Sequence, residues 1–376
     1  RGPLAGARGL STAECEGSLD RARALASQIG DARERARTLS GMAFSLYQRN
    51  PAASFELARP ALEAAERSGD AFDLLSAHAA AGTSLIYQGE FSRSLHHLEE
   101  AIGLYDFDEH ASFAHTTGSD LGVVSRFLAA FCLVYLGYPD RGLARSQEAV
   151  ALARRVKHPI SLVLALSRAG ATHWLRREPG LARERADEAV ALAEEFGPPH
   201  YLGMARAARG SARAVAPGDS EGVAEAQQGI AELARIGALA TAATFNVALA
   251  EAFWKLGRRE EALGALDLGV AWVQETGAHF LDAELQRLRA EILQHQDRGM
   301  LEEAEVRLRC ALEIAREQAA KWYELRAATS LARLLRDRGR RDEARALLEP
   351  VYDWFTEGFD TPDLEDAKAL LEELGR

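Results

Sequence analysis

Apolar residues recur at intervals of three and four along almost the whole chain, the spacing of one face of a helix. Leu249, Phe253 and Leu256 share such a face, and Leu263, Leu266 and Val270 share the next. Between these two stretches lies a short polar turn, Lys255-Leu-Gly-Arg-Arg-Glu-Glu-Ala262, which returns almost unchanged as Asp337-Arg-Gly-Arg-Arg-Asp-Glu-Ala344. Similar turns fall at Gln88-Gly89-Glu90, Leu136-Gly137-Tyr138 and Arg298-Gly299-Met300, with degenerate copies near Asn50, Arg177 and Gly218. Glycine at the centre tolerates positive φ and ends a first helix cheaply, so that a second helix can start a few residues later. From Asn50 through Gly89, Gly137, Arg177, Gly218, Gly257 and Gly299 to Gly339, the separations are 39, 48, 40, 41, 39, 42 and 40. The pattern predicts eight helical hairpins with a period of about 40, over residues 31–360. A half unit precedes them at 11–30, and a capping helix over 361–375 closes the array, with Thr361 as its cap and Pro362 in its first turn.

Small residues sit at fixed distances from each turn. Seven before it come Ala43, Gly82, Ala130, Gly170, Ala250 and Ala332; five after it come Ser94, Gly142, Ala182, Ala262, Ala304 and Ala344; twelve after it come Ala101, Ala149, Ala189, Gly269 and Ala311. Small side chains let helix axes approach, which marks these as the points where the helices of one hairpin and the next touch. The tetratricopeptide repeat wants small residues at the same three places, although its strict period is 34. HEAT and armadillo arrays share the longer period but lack the leucine–glycine turn followed by alanine. The expected fold is therefore all-α: a right-handed superhelical solenoid of about eight tetratricopeptide-like hairpins, residues 1–376 forming a single array.

Composition adds limits. The formal charge of −11 disfavours general binding to nucleic-acid phosphates and to anionic membranes. No run of 18 apolar residues is present, and residues 1–10 hold no hydrophobic stretch of the secretory kind. Cys15, Cys132 and Cys310 are far apart and odd in number, and read as reduced core residues of a cytoplasmic protein. The chain opens on Arg1, and with the half unit at its start it reads as the tail of something longer.

The segments Glu324-Leu-Arg-Ala-Ala-Thr-Ser-Leu-Ala-Arg-Leu and Val351-Tyr-Asp-Trp-Phe-Thr-Glu-Gly-Phe-Asp-Thr-Pro-Asp-Leu carry a further resemblance, as do Ala101-Ile-Gly-Leu-Tyr-Asp, Gly118-Ser-Asp-Leu-Gly-Val and Leu136-Gly-Tyr-Pro-Asp. Over roughly residues 20–375 the chain resembles the C-terminal region of bacterial signalling proteins. Those proteins join a class III adenylate or guanylate cyclase domain and an AAA-like ATPase to a long tetratricopeptide region. The resemblance implies a cytoplasmic sensor or regulatory part, and it transfers no catalytic residue.

No phosphate-binding GxxxxGK[ST] loop, HExxH, paired CxxC or nucleophile elbow occurs. The expectation is a non-catalytic module without cofactor or metal. The longest interval, Asp106 to Gly122, gathers Asp106, Asp108, Glu109, His110, His115 and Asp120, but their spacing matches no metal motif, and we read it as a solvated connection with capping acids. His96 and His97 point about 100° apart and read as surface residues, and the single histidines His78, His158, His173 and His200 as packing residues. The arginine group Arg333, Arg336, Arg338, Arg340, Arg341 and Arg345, interspersed with Asp337, Asp342 and Glu343, reads as a mixed-charge turn.

In tetratricopeptide arrays the first helix of each hairpin lines the concave side. Carried over by distance from each turn, that geometry gives a candidate partner-binding groove of Thr83, Tyr87, Phe127, Phe131, Tyr135, Arg168, Trp174, Arg209, Arg213, Thr244, Glu251, Trp254, Arg326 and Arg333. Aromatics and arginines are the types enriched at binding hot spots. The expected occupant is a protein or peptide, including the parent protein's own ATPase or cyclase domain; the alternative is a small molecule held in the same groove.

Overall fold

The computed structural model describes residues 21, 24, 26, 28–196, 199–216, 219–294 and 300–375. The half unit 11–30 lies mostly outside these residues, as do Cys15 and the turn centres Gly218 and Gly299.

Among the described residues the chain is an all-α repeat solenoid of eight hairpins. Their helices are α1 (Ala32–Leu46) with α2 (Pro51–Ser68), and α3 (Ala71–Tyr87) with α4 (Phe91–Leu104). Two short helices, α5 (Phe107–His110) and α6 (Ala114–Thr117), occupy the long interval. There follow α7 (Leu121–Tyr135) with α8 (Pro139–Val156), α9 (Pro159–Leu175) with α10 (Pro179–Phe196), and α11 (Pro199–Arg213) with α12 (Ser220–Arg235). The last three pairs are α13 (Leu239–Lys255) with α14 (Arg259–Thr276), α15 (Asp282–Gln294) with α16 (Leu301–Glu317), and α17 (Lys321–Asp337) with α18 (Arg341–Tyr352), before the terminal helix α19 (Pro362–Leu374).

The turn chemistry follows the pattern with two exceptions. Gly89, Gly137, Gly257 and Gly339 have positive φ, and Arg177 adopts φ 58° in the equivalent place. Asn50 does not; it is extended and caps α2, its side chain accepting from the Ala53 N–H. Thr361 does not cap α19 through its side chain; its hydroxyl donates back to the Gly358 carbonyl.

The small residues seven before and five after each turn meet one another inside a hairpin. A Cβ placed on Gly170 would lie 3.1 Å from the Ala182 carbonyl oxygen, and one on Gly142 would lie 2.9 Å from that of Ala130. Gly269, twelve after its turn, faces Leu285 of the next hairpin. One apolar core runs from Ile86 to Leu374, while hairpin 1 and the start of α3 form a separate, alanine-rich core.

The superhelix is wound tightly enough to touch itself. The turn of each of the first four hairpins meets the element five units further on. Gln48 exchanges two hydrogen bonds with Thr241 at the start of α13, and Arg49 donates to the Ile236 carbonyl at 2.9 Å. Tyr87 packs edge-on against Phe280 ahead of α15, with ring centres 5.1 Å apart. Tyr135 packs on Tyr323 of α17 at 5.2 Å. Arg177 reaches Asp363 and Asp366 of α19 at 3.0 and 3.3 Å. Much of this seam satisfies helix-end groups that have no partner within their own helix. The Trp322 indole N–H donates to the carbonyl of Leu175, the last residue of α9. Glu357 accepts from the Asp140 and Arg141 N–H groups in the first turn of α8, where the helix dipole favours an anion.

Candidate functional site

The closed seam changes what the first helices line. They face a narrow internal channel rather than an open groove. Thr83, Tyr87, Phe127, Phe131, Tyr135, Arg168, Glu251 and Arg326 are buried, and Trp174, Arg209, Arg213, Thr244, Trp254 and Arg333 are partly buried. The reason is the five-unit offset: the side chains that would line one wall of a groove pack against the opposite wall.

Six of these residues converge. Tyr87, Phe131, Tyr135, Arg168, Trp174 and Thr244 line one small cavity of about 20 Å³, together with Phe280 and five aliphatic side chains. That volume holds about one water-sized group. Arg168 stands over Phe127, 5.9 Å from the ring centre, and its Nη2 donates to Thr241 at 3.1 Å. Tyr47, absent from the sequence-based set, packs on Tyr87 at 5.2 Å. Its signal was present: Tyr47, Tyr87 and Tyr135 each close the first helix two or three residues before the turn. Burial, reinforced by Tyr87, pushes the Tyr47 hydroxyl up to about 12. The Tyr135 and Tyr323 hydroxyls, which bond each other, are also raised by burial.

Glu251, Arg326 and Arg333 belong to a second internal region. Arg326 pairs with Glu284 at 3.0 Å and with Glu251 at 3.3 Å; Glu284 also holds Arg287, which in turn holds Glu291. Burial disfavours the charged form of Glu251, but Arg326, Lys255 and Arg177 reverse that and hold its carboxyl well below the usual range. Asp363 of α19 is buried here, within reach of Arg177 and Arg326. Arg333 meets Asp366.

Arg209 and Arg213 join neither region. Both pair with Glu225 of their own hairpin, and Arg213 also with Asp219 at 2.9 Å. Thr83 turns its hydroxyl onto the Ala79 carbonyl of its own helix, and Trp254 packs against the core. In the arginine group, Arg338 and Arg340 share Glu305, while Arg336 pairs with Asp337 and Glu373.

The long interval is packed rather than merely solvated. Phe113 stacks on Phe72 at 4.1 Å and the Arg155 guanidinium covers Phe107 at 3.6 Å. Asp106 caps α5 and Asp120 caps α7, the latter also accepting from the Tyr105 hydroxyl. Among the described residues no three histidine, cysteine, aspartate or glutamate side chains converge as a metal group would require. His96 is exposed, but His97 is half-buried, with its Nδ1 3.1 Å from that of His78. No single helix among the described residues is long and apolar enough to cross a membrane.

No family model matches the chain. Over 243 residues it is 27% identical to an uncharacterized protein of Rhizobium meliloti (strain 1021), covering 63% of this chain and 23% of that protein. The chain thus spans about a quarter of the curated relative it matches. Among solved structures it is similar to a Rap protein complexed with Competence and Sporulation Factor (TM-score 0.46, 13% identity, covering 95% of this chain and 81% of that one). It is also similar to a signal-transduction ATPase with a tetratricopeptide repeat sensor from Pyrococcus horikoshii (TM-score 0.41, 12% identity, 93% and 55%) and to a human IFIT1 dimer with m7Gppp-AAAA (TM-score 0.44, 15% identity, 91% and 72%). At these scores the likenesses carry nothing about what this chain binds.

Proposed function

We propose that the chain is a non-catalytic binding module that works by parting its seam. Closed, it buries the tyrosine-lined channel; parted, it presents the same side chains in a row to a protein segment or peptide, or to an adjacent domain of the parent protein. The observation that carries this reading is the seam itself. Its five-unit register joins successive turns of the superhelix at a few points, through hydrogen bonds, ring contacts and the Arg177 ion pairs, whereas neighbouring helices pack along their lengths. Such a contact is the two-state element that a regulatory module needs. The resemblance to cyclase- and ATPase-bearing signalling proteins supports a sensor role, with the upstream domains as its output.

Locking the seam tests the reading. Gln48→Cys and Thr241→Cys, placed in a chain with Cys15 and Cys310 replaced by serine, are joined by a short bis-maleimide. Peptides selected for binding to the unlocked protein are expected to lose binding once it is locked. Equal binding to both forms places the binding surface outside the channel and ends this reading. A small-molecule ligand is favoured by one specific feature, the aromatic wall of the cavity beside the buried Arg168.

A further inference from the structure

We infer that Arg168 anchors an anion-receiving site, which takes the carboxylate of a ligand whose adjoining part is apolar or aromatic. The inference rests on the channel being the binding surface and names what it would bind.

Four arginines are buried among the described residues: Arg168, Arg176, Arg287 and Arg326. Three are neutralised from within. Arg176 holds Asp140 and Glu178, each at 2.9 Å, Arg287 holds Glu284 and Glu291, each at 2.6 Å, and Arg326 holds Glu284 and Glu251. Arg168 has no carboxylate within ion-pair distance among the described residues. Its recorded partners are the Thr241 hydroxyl and the face of Phe127, and its Nε–H is buried with no acceptor. A buried cation without a counter-charge is costly, and an unmade hydrogen bond adds to the cost. Side chains kept in that state are where a ligand's charge is expected.

The cavity beside it states what fits. Its walls are Tyr87, Phe131, Tyr135, Trp174 and Phe280, so the surroundings of the anion are aromatic. Its volume of about 20 Å³ admits one oxygen-sized group, and the remainder of a ligand enters only as the seam parts. A phosphate would bring more charge and more oxygens than one guanidinium can meet. A carboxylate matches both the charge and the planar fork of arginine.

The test compares acids with neutral analogues of the same shape, in the full chain at constant ionic strength. The probes are benzoate against benzamide, and the peptide Ala-Ala-Phe against its C-terminal amide, so that small acids and peptide termini are told apart. By calorimetric titration each binding acid is expected to exceed its neutral analogue by about tenfold to a hundredfold, the range of a charge-assisted hydrogen bond. Arg168→Gln should abolish the preference, and Arg168→Lys, which keeps the charge without the fork, should retain part of it. Thermal melts identify a variant that has merely unfolded. Equal affinity for acid and amide in the wild-type protein overturns the inference, and the channel reading then survives if bis-maleimide locking still blocks both. Failure of all four probes to bind also overturns it, leaving the channel reading to the selected peptides. An acid preference that persists in Arg168→Gln moves the anion elsewhere.

Discussion

The channel interior holds two buried arginine centres of opposite design. Around Arg326, carboxylates from α13, α15 and α19 surround the guanidinium, so that four separate elements are tied by charge. Around Arg168, the five aromatic rings of the cavity wall, the face of Phe127 and the Thr241 hydroxyl take the place of carboxylates. Both side chains are equally buried. The difference teaches that burial alone does not distinguish a structural residue from a binding one; the balance of charge does. The Arg326 centre is balanced in charge, although the Nε of Arg326 and one oxygen of Asp363 lack a hydrogen-bond partner there as the Nε of Arg168 does in its own centre, and it ties the C-terminal half together. The Arg168 centre is complete only with something added.

The sharpest break of this comparison is the same substitution at both places. Arg326→Met leaves Glu251, Glu284 and Asp363 short of a counter-charge and should cost about 3–5 kcal/mol, the usual loss when one partner of a buried pair is removed. Arg168→Met strands no acid and should lie within about 1 kcal/mol of the wild type, on either side, since a well-packed apolar replacement of a buried charge is often neutral or stabilising. Urea denaturation of the two variants decides it. Equal losses would mean that Arg168 is structural after all.

The next contrast separates the seam from the turns that build it. Gly137 and Gly257 both have positive φ, 93° and 74°, so alanine at either strains the backbone by about 1 kcal/mol. A Cβ on Gly257 meets nothing, whereas one on Gly137 would sit 2.8 Å from the Lys321 Cβ and also against Trp354, both across the seam. Gly137→Ala should therefore lose about 1–3 kcal/mol more than Gly257→Ala, the range of overpacking. It should also enlarge the radius of gyration in small-angle scattering, while Gly257→Ala should not. If the two variants scatter alike, the turn glycines have no part in closure.

These contrasts mark how far the sequence could be read. The hairpins were legible because each is a local event: helical spacing, a glycine turn, and small residues at set distances such as Gly170 and Ala182. Superhelical closure was not, because it depends on small rotations accumulated over five units, and no local pattern records their sum. The first-helix residues Tyr87, Phe131, Tyr135, Arg168, Trp174 and Thr244 could be placed on the inner side, but not their meeting across it with Phe280. Asp363 shows the same limit. A carboxylate in the first turn of a helix looks exposed and dipole-related until Arg177, almost two hundred residues earlier, is seen to reach it. Thr361 carries the capping residue type, yet its hydroxyl is taken by the Gly358 carbonyl.

A third base shows another way to tolerate burial, and gives the smallest expected effect. Arginine cannot shed its proton, but histidine can. His97, half-buried beside His78, is held down to about 4, first by burial and then by the nearby His78, His96 and Arg93, with Glu100 opposing. Burial likewise lowers His78. The unfolded chain therefore binds more protons than the folded one between about pH 6.5 and 4. Stability should be complete above pH 6.5, decline as the pH falls, and level off for this group near pH 4. Allowing for solvent screening of a half-exposed ring, the loss is about 1–2 kcal/mol. Measured by urea denaturation between pH 7 and 5, the slope should shrink in His97→Gln. Arg168→Met should leave that slope unchanged, because a guanidinium carries its charge throughout. A slope that falls equally in both variants would join the histidine pair to the channel and remove the distinction between a base that escapes its charge and one that waits for a partner.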